Sequence, residues 1–489
     1  MNDVTNLSGL EIGRLVNKKE ISATEVVTQF LDKIDAENSK INAFVYTKRE
    51  EALEEAKKID TKIANREEAG PLAGVPVGLK DFLNTKKGWT NSHGGVRALV
   101  REDTCNSRFY SAARSLGAIA IGKTNAPAFG FRGVTDNNMY GPTSTPFKPG
   151  YNSGGSSGGS CAAVSAGFAP LCELGDAGGS GRIPAAWCGC VGYKPSAGIV
   201  PSVCRPDAWT ATHPYCCGGP GGRTVNDVAA VMQGMIKYNS RDPLSVNLPD
   251  NLLLADITNR KFKIAFTTNF DLFPQPEAEI VEAMKRIANK LAYIGCEIDD
   301  VKFDFHYSLR EYEEAWLRGI CIDTAIDMEL DKQNGFDLIK EAKDDLPEDF
   351  IKWNEIALNS TMLDYRKFHE IRTDILDAHC NIFDNYDLII APVAGCMPVP
   401  NRPDGKLTLG PSEINGQKVD PLIGFAYTYL ENMIGTPAMS IPIGLSKEGF
   451  PIGLQIIGSR YKDLDVFALA YAIEKIQPWY DSYSKISLK

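Results

Sequence analysis

Residues 151–195 read YNSGGSSGGSCAAVSAGFAPLCELGDAGGSGRIPAAWCGCVGYKP. Two Gly/Ser clusters, at 153–160 and 178–181, enclose an apolar stretch that is too short to span a membrane. Glycine lets the main chain approach a ligand closely and serine supplies a hydroxyl, so the pattern indicates a site built largely from backbone. A flexible linker is the alternative interpretation. The flanking apolar segments and the embedded Asp176 and Arg182 favour the site.

The composition is that of a folded globular protein, because 43% of the 489 residues are apolar and 23% are charged. The net charge of -10, without a concentrated basic stretch, argues against nucleic acid or an anionic membrane as the main partner. We therefore expect a small-molecule ligand. The N-terminal stretch lacks the basic and apolar regions of a secretory signal, and no apolar run is long enough to cross a membrane. A cytoplasmic location is expected.

The cysteines predict neither a zinc site nor a disulfide framework. There are 12 of them, and they are scattered among mostly apolar neighbours without a C-x-x-C pair. Zinc ligation usually needs such paired spacing, and disulfide frameworks are typical of short secreted chains. Buried free thiols are the preferred interpretation.

Helix and strand patterns alternate along the chain. Ser22 and Glu25 form a capping box before apolar residues at helical spacing, which predicts a helix over 22–36. Residues 71–81 predict a turn and then a short strand that ends in Lys80. Together these patterns predict one large α/β domain, with a central mixed β-sheet flanked by helices on both faces.

The predicted single domain covers residues 1–489 and contains several regions. N-terminal helices occupy 1–70, and a core that includes the Gly/Ser segment occupies 71–230. Residues 306–384 are mostly helical in pattern and rich in charged and aromatic residues, which predicts a lid or a peripheral layer. The polar stretch 240–260, with several Pro and Asn residues, is predicted to be a surface connection.

A nucleophilic serine in the Gly/Ser segment would need a base. The five histidines lie apart from the segment in sequence. Gly154-x-Ser156-x-Gly158 fits the elbow of α/β hydrolases, but such a match arises easily in a glycine-rich run, and no convincing Asp and His follow in order. A serine activated by an amine is the other option, and Lys80, at the end of an apolar strand, could be partly neutral if enclosed. On these residues alone, a Lys80 that merely pairs with Asp81 is equally acceptable.

Several motifs in one order, over nearly the full chain, resemble the amidase signature family of serine hydrolases. They are GVPVGLKD at 74–81, GKTN at 122–125, GGSSGGS at 154–160, DAGGS at 176–180, KP at 194–195, GP…R at 219–223, YDL at 386–388, GTPAMSIP at 435–442 and GLQ at 453–455. The chain departs from the usual family pattern at Gly175, Gly181, Tyr193 and Ser196. None of these departures removes a catalytic group.

The resemblance implies an amidohydrolase that needs no cofactor and no metal. Its catalytic residues would be Ser180 as nucleophile, Ser156 as proton bridge and Lys80 as base, with Ser156 in a cis peptide bond with Ser157. The main-chain N–H groups that hold the oxyanion would be those of Ala177, Gly178, Gly179 and Ser180 itself. The implied partner is a small amide substrate, with nucleic acid and membrane not expected and a homodimer left open.

Within the family the chain is most similar to hydrolases of cyclic and linear oligoamides of 6-aminohexanoate. Cys321 falls at a substrate-contacting position of those enzymes, although a core position in a helix is the preferred interpretation. Phe131 stands near the site where they carry a polar residue. An apolar pocket could draw on the aromatic residues Phe129, Phe131, Tyr140, Trp187, Trp316 and Tyr427.

Two other functions stay open. One is the amidase subunit of a glutamine-dependent tRNA amidotransferase, which works with a partner protein. This chain lacks the acidic, Met-containing stretch of that branch after residues 123–125, so a stand-alone hydrolase ranks higher. The other is a non-catalytic binding protein on the same fold, which the presence of Lys80, Ser156 and Ser180 disfavours.

Overall fold

The computed structural model describes residues 3–209, 215–248, 260–404 and 406–488. Its α-helices are α1 (Gly9–Asn17), α2 (Ala23–Glu37), α3 (Arg49–Ala64), α4 (Arg108–Ser115), α5 (Gly158–Ala166), α6 (Arg182–Cys188), α7 (Val225–Met235), α8 (Ala278–Tyr293), α9 (Leu309–Gln333), α10 (Leu338–Glu341), α11 (Glu348–Leu358), α12 (Met362–Phe383), α13 (Tyr429–Ile434) and α14 (Asp463–Ile476). Within these described ranges, no helix is both long enough and apolar enough to cross a membrane.

The strands are β1 (Phe44–Thr47), β2 (Pro76–Lys80), β3 (Thr90–Asn91), β4 (Arg101–Glu102), β5 (Ile119–Thr124), β6 (Leu171–Asp176), β7 (Val191–Lys194), β8 (Cys217–Gly222), β9 (Lys263–Phe266), β10 (Glu297–Asp300), β11 (Leu388–Pro392), β12 (Glu413–Ile414), β13 (Gln417–Lys418), β14 (Ala438–Leu445) and β15 (Pro451–Gly458). An 11-stranded sheet joins most of them, in the order β1-β5-β2-β6-β8-β7-β14-β15-β11-β9-β10. Its pairs are parallel around β2 and β9 and antiparallel around β8 and β15, so the sheet is mixed as predicted.

Apolar residues alternate between the two faces of this sheet. In β11, Leu388 and Ile390 belong to the larger core cluster, whereas Ile389 belongs to a second cluster on the opposite face. The larger cluster takes in the apolar sides of α2, α7, α8 and α14, and the second takes in those of α9, α12 and α13. Because neighbouring side chains of a strand point to opposite faces, helices cover both faces, which confirms the predicted fold class.

Local signals placed several elements correctly. Helix α2 begins at Ala23, and both bonds of the Ser22–Glu25 capping box are formed. Strand β2 ends in Lys80 as predicted. The predicted helical region 306–384 contains α9 to α12. The stretch 240–260 lies partly outside the described residues, and its described portion, 240–248 and 260, contains no regular helix or strand.

The topology brings two chain segments to one edge of the sheet. Strands β5, β2 and β6 are parallel neighbours, so their carboxyl ends lie side by side. Lys80 is the last residue of β2, and the turn 177–180 follows β6 directly. Sites in α/β sheets form at the carboxyl ends of parallel strands, where loops leave the sheet.

Candidate active site

Lys80 lies at the carboxyl end of β2 and is 2% exposed. Its Nζ donates to Ser156 Oγ at 2.7 Å across 76 sequence positions. Burial lowers the pKa of Lys80 to about 8, and the weaker attraction of nearby Cys216 and Asp176 offsets only part of this change. A buried amine with a lowered pKa is partly neutral near physiological pH and can accept a proton.

Ser156 precedes α5 and is 1% exposed, so its hydroxyl faces the protein interior. The expected cis peptide bond between Ser156 and Ser157 is wrong by one position, because the cis bond joins Gly155 to Ser156. The main chain at Gly155 packs against the backbone of a preceding loop. A Cβ there would lie 2.6 Å from the carbonyl carbon of Val134 and 2.7 Å from the oxygen of Arg132, so only glycine fits at that position.

Ser180 ends the turn that follows β6 and is half-buried, unlike Ser156. Its carbonyl oxygen accepts a hydrogen bond from the N–H of Ser157 at 3.0 Å, which ties this turn to the start of α5. Among hydrogen bonds between described residues, none joins the hydroxyls of Ser156 and Ser180. The structure therefore brings Lys80 and Ser156 into direct contact and places Ser180 next to them through the main chain.

The N–H groups of the turn 177–180 differ in whether they donate a hydrogen bond to another described residue. The N–H of Gly179 donates to Asp176 Oδ1 at 2.8 Å. The N–H groups of Ala177, Gly178 and Ser180 donate to no described residue. Three of the four predicted oxyanion donors are thus unengaged within the described chain, and Gly179 is held by the carboxylate.

Carbonyl groups of the same turn are held by side chains from distant helices. Trp316 Nε1 on α9 donates to the oxygen of Ala177 at 2.9 Å. Thr428 Oγ1, just before α13, donates to the oxygen of Gly178 at 2.7 Å. The contacts leave no room for a side chain, because a Cβ on Gly178 would lie 2.2 Å from the Trp316 ring and one on Gly179, at φ 117°, would lie 1.9 Å from Thr428 Oγ1.

Arg182 holds the turn 177–180 in place through a fully buried network of hydrogen bonds. Its Nε and Nη2 donate to the two oxygens of Asp176 at 2.9 and 3.0 Å. The same guanidinium donates to Glu431, Gln455 and Asn432 at 3.3, 2.6 and 2.6 Å. Burial by itself would raise the pKa of Asp176, but the charge and hydrogen bonds of Arg182 hold that pKa well below its usual range. Asp176 is therefore a fixed anion that orders the turn through the Gly179 N–H.

An aromatic wall borders the Lys80–Ser156 pair. The Phe82 ring lies 5.9 Å from Lys80 Nζ, and it packs edge-on against Phe129 at 6.3 Å. The backbone of Gly130 lies beside both Ser156 and the Phe82 ring. A Cβ on Gly130 would lie 3.1 Å from Ser156 Oγ and 3.1 Å from that ring. Phe131 is partly buried and packs against Phe350 at 5.4 Å. Its contact with substrate stays a prediction.

Cys321 is 2% exposed and belongs to the core cluster that includes Trp316 and Phe368. This is the core position preferred from the sequence, and a role in substrate contact stays a prediction. Thr428 and Asn432 are residues that the sequence did not single out. They lie about 250 positions from the turn that they hold, and no local pattern marks them.

The chain is similar to known proteins in both sequence and structure. The family model described as Amidase matches residues 25–467. An acylamidase of Rhodococcus erythropolis is 29% identical over 488 residues, which covers 99% of this chain and 98% of that protein. A glutamyl-tRNA(Gln) amidotransferase subunit of Clostridium botulinum (strain Alaska E43 / Type E3) is 31% identical over 510 residues, which covers 99% and 100%.

Two solved structures show the same architecture over 98% of both chains. A bacterial aryl acylamidase of the amidase signature enzymes superposes with a TM-score of 0.93 at 38% identity. The 6-aminohexanoate cyclic dimer hydrolase, in complex with substrate, superposes with a TM-score of 0.80 at 26% identity. Of these two structures, the aryl acylamidase is more similar to this chain in both sequence and fold.

Proposed function

The chain belongs to the amidase family, and from that premise we propose that it hydrolyses a carboxamide C–N bond with Ser180 as nucleophile, Ser156 as proton bridge and Lys80 as base. The observation that carries this proposal is the buried Lys80–Ser156 contact of 2.7 Å, adjoining a turn that ends in a half-buried serine. Burial also lowers the pKa of Lys80 to about 8, which suits a group that must accept a proton.

The reaction begins with two coupled proton transfers. Neutral Lys80 accepts the proton of Ser156, and Ser156 accepts the proton of Ser180, whose Oγ attacks the amide carbonyl carbon. The hydrogen bond between the two serine hydroxyls forms with substrate bound, since catalytic hydrogen bonds are often long in the free enzyme and tighten in the complex. The product of this step is a tetrahedral oxyanion joined to Ser180.

The oxyanion is stabilised by the turn 177–180. The N–H groups of Ala177, Gly178 and Ser180 are the available donors, and Gly179 contributes by bending the turn around the Asp176 carboxylate. One such donor is worth roughly 3 kcal/mol in the transition state. The relay then runs in reverse, so that the leaving nitrogen takes a proton as the C–N bond breaks. Water attacks the resulting acyl-enzyme by the same route and releases the carboxylic acid.

The substrate that fits best is a small amide with an apolar or aromatic group. Phe82 and Phe129 border the catalytic lysine and serine, and aromatic walls bind flat or apolar groups well. The acylamidase relatives support the same class. Cyclic or linear aliphatic oligoamides are the second candidate, supported by the fold shared with the 6-aminohexanoate cyclic dimer hydrolase. Helices of 306–384 act as a lid or peripheral layer, with Trp316 of α9 reaching the oxyanion turn.

The amidase subunit of a tRNA amidotransferase is the alternative function. It is supported by the 31% identity to the clostridial protein. A stand-alone hydrolase ranks higher because the acidic, Met-containing stretch of that branch is missing after residues 123–125. A non-catalytic binding protein ranks lowest, since both partners of the lysine–serine contact are present.

Replacement of the nucleophile tests the proposal. Ser180→Ala should lower kcat by about 10⁴-fold or more, because the relay acts as a unit. The measurement is hydrolysis of a panel of aryl, aliphatic, cyclic and linear oligomeric amides, with mass spectrometry of the wild type to locate an acyl group on Ser180. Ser111→Ala, an exposed serine on α4, is the matched control and should keep full activity. Full turnover by Ser180→Ala would contradict the mechanism. Glutaminase activity that requires a partner protein would favour the amidotransferase function instead.

A further inference from the structure

A second cleft lies away from the catalytic turn, between the N-terminal helices and the C-terminal segment. Its volume is about 1260 Å³, and the residues that matter to its chemistry are Asp3, Gln29, Lys33, Glu37, Arg223 and Tyr483. The catalytic residues Lys80, Ser156 and Ser180 do not line it. The cleft is therefore a separate site.

Arg223 is a buried cation in this cleft with an incomplete set of partners. Its side chain is 2% exposed, its Nε donates to the oxygen of Val164 at 3.0 Å, and its Nη2 donates to that of Ser165 at 3.5 Å. Its Nη1 is buried and has no hydrogen-bond partner among the described residues. No carboxylate of the described residues lies within ion-pair distance of the guanidinium. The Tyr483 ring covers the group, 4.9 Å from the guanidinium carbon.

Lys33 of α2 lies close to the Arg223 guanidinium. A Cβ placed on Gly167 would lie 2.8 Å from Arg223 Nη2 and 3.1 Å from Lys33 Nζ, so the two cationic groups are close neighbours. Lys33 Nζ donates to Thr5 Oγ1 at 3.4 Å and forms no ion pair with any residue that the structure describes. Burial is the main cause that lowers the pKa of both cations. Two adjacent, desolvated cations without a bound anion are costly to maintain.

A neutral donor completes the group. Gln29 lies one turn before Lys33 on α2, and its Oε1 accepts from the N–H of Val4 at 3.2 Å. Its Nε2 is buried and, like Arg223 Nη1, finds no hydrogen-bond partner in the part of the chain that the structure describes. Buried N–H groups are nearly always satisfied by protein, water or ligand. The cleft thus holds two unsatisfied donors and an under-coordinated ammonium group.

We propose that this cleft is a second binding site, and that it takes the carboxylate group of a small organic acid on Arg223, Lys33 and Gln29. A planar guanidinium and an amide N–H match the two oxygens of a carboxylate. The choice between a carboxylate and a phosphate depends on the acidic residues that line the cleft, which are Asp3, Glu11, Asp32, Glu37 and Asp481. The charges of Asp3 and Glu37 act on the two cations from a distance and offset part of their charge. The lining is negative overall, so a singly charged carboxylate is repelled less than a doubly charged phosphate.

Thermal unfolding in acetate tests this inference independently of catalysis. The unfolding midpoint is measured at increasing concentrations of sodium acetate. The acetate replaces sodium chloride, so that the ionic strength stays constant. Acetate should raise the midpoint of the wild type in a saturating manner, because a ligand that binds only the folded state stabilises it. Lys33→Met and Gln29→Leu should each weaken the apparent acetate affinity, the former by about tenfold or more, as expected for loss of a charged hydrogen bond.

Lys57→Met is the matched control, since Lys57 is an exposed lysine on α3 outside the cleft, and it should respond to acetate as the wild type does. A wild-type midpoint that rises no more in acetate than in chloride would overturn the inference. So would equal acetate affinities of the wild type, Lys33→Met and Gln29→Leu. A larger effect of inorganic phosphate than of acetate at the same ionic strength would overturn the assignment to a carboxylate. None of these readouts depends on amide hydrolysis.

Discussion

Lys80 shows how a single buried position changes the chemistry of a common side chain. The simple alternative from the sequence, an ion pair with Asp81, is not formed among the described residues. Asp81 instead accepts from the N–H of Ser92 at 3.0 Å and from its hydroxyl. The two neighbours point to different sides of the strand end, as alternation requires. Lys80 is therefore left with a serine rather than a carboxylate, and a serine does not stabilise its charge as an anion would.

The rate of hydrolysis should rise as Lys80 loses its proton. Its pKa is lowered to about 8, so kcat/KM should rise about tenfold per pH unit below that value and level off above it. The lowered pKa of Lys80 also makes the free energy of unfolding depend on pH. Between pH 8 and the ordinary lysine pKa, the unfolded chain binds more protons than the folded one, so the free energy of unfolding rises with pH, by roughly 3 kcal/mol in total.

Lys80→Met separates these effects. It should lower kcat/KM by about 10³-fold above pH 8, remove the rise of kcat/KM with pH below that value, and remove the rise of stability above pH 8. Lys87→Met, an exposed lysine on the following loop, is the matched control and should change neither profile. The measurements are pH–rate profiles and urea unfolding from pH 6 to pH 10. A wild-type rate that is flat across pH 8 would rule out a titrating Lys80.

At the scale of elements, the sequence was informative where a signal is local. The capping box fixed the start of α2, and the apolar run before Lys80 fixed the end of β2. The position of the Gly/Ser segment followed from its composition. Contacts between distant elements were not predictable in this way. Thr428 reaches Gly178 only because α13 packs beside the turn 177–180, and a single threonine carries no mark of that contact.

The hydrogen bond from Thr428 to the turn 177–180 should have a measurable effect on activity and stability. Thr428→Val keeps the shape of the side chain but removes the hydroxyl that donates to the oxygen of Gly178 at 2.7 Å. The freed carbonyl lets the turn reorient, so kcat should fall by about tenfold with little change in KM, and stability should fall by about 1–3 kcal/mol. Steady-state kinetics and urea unfolding provide both values.

Thr436→Val is the matched control for this substitution. Thr436 is also buried and near α13, but its Oγ1 has no hydrogen-bond partner within the described ranges, so valine should be neutral or slightly stabilising there. If Thr428→Val and Thr436→Val have the same kcat as the wild type, the hydroxyl of Thr428 does not order the turn. A drop in stability without a drop in kcat would lead to the same conclusion.

At the scale of the whole molecule, the sheet explains why the segment around Arg182 depends on residues that are distant in sequence. Strand β1 lies at one edge and β10 at the other, while the C-terminal strands β14 and β15 lie in the middle. Arg182 is anchored there, since Gln455 of β15 accepts its hydrogen bond at 2.6 Å. Sequence patterns predicted the mixed sheet, but the order of its strands depends on packing among segments more than 200 positions apart.

This strand order predicts that the chain unfolds as one cooperative unit. Leu454 of β15 is fully buried at the centre of the sheet, and Leu454→Ala should lower the free energy of unfolding by about 2–5 kcal/mol through the cavity it creates. Because β15 pairs with β14, which pairs in turn with β7 of the N-terminal half, this loss should move one transition for the entire protein. Leu363→Ala, at an 82% exposed position on α12, should leave that transition unchanged. Urea unfolding followed by fluorescence and by circular dichroism gives the comparison. Two separate transitions, with only one displaced by Leu454→Ala, would instead show that the chain contains two independently folding domains.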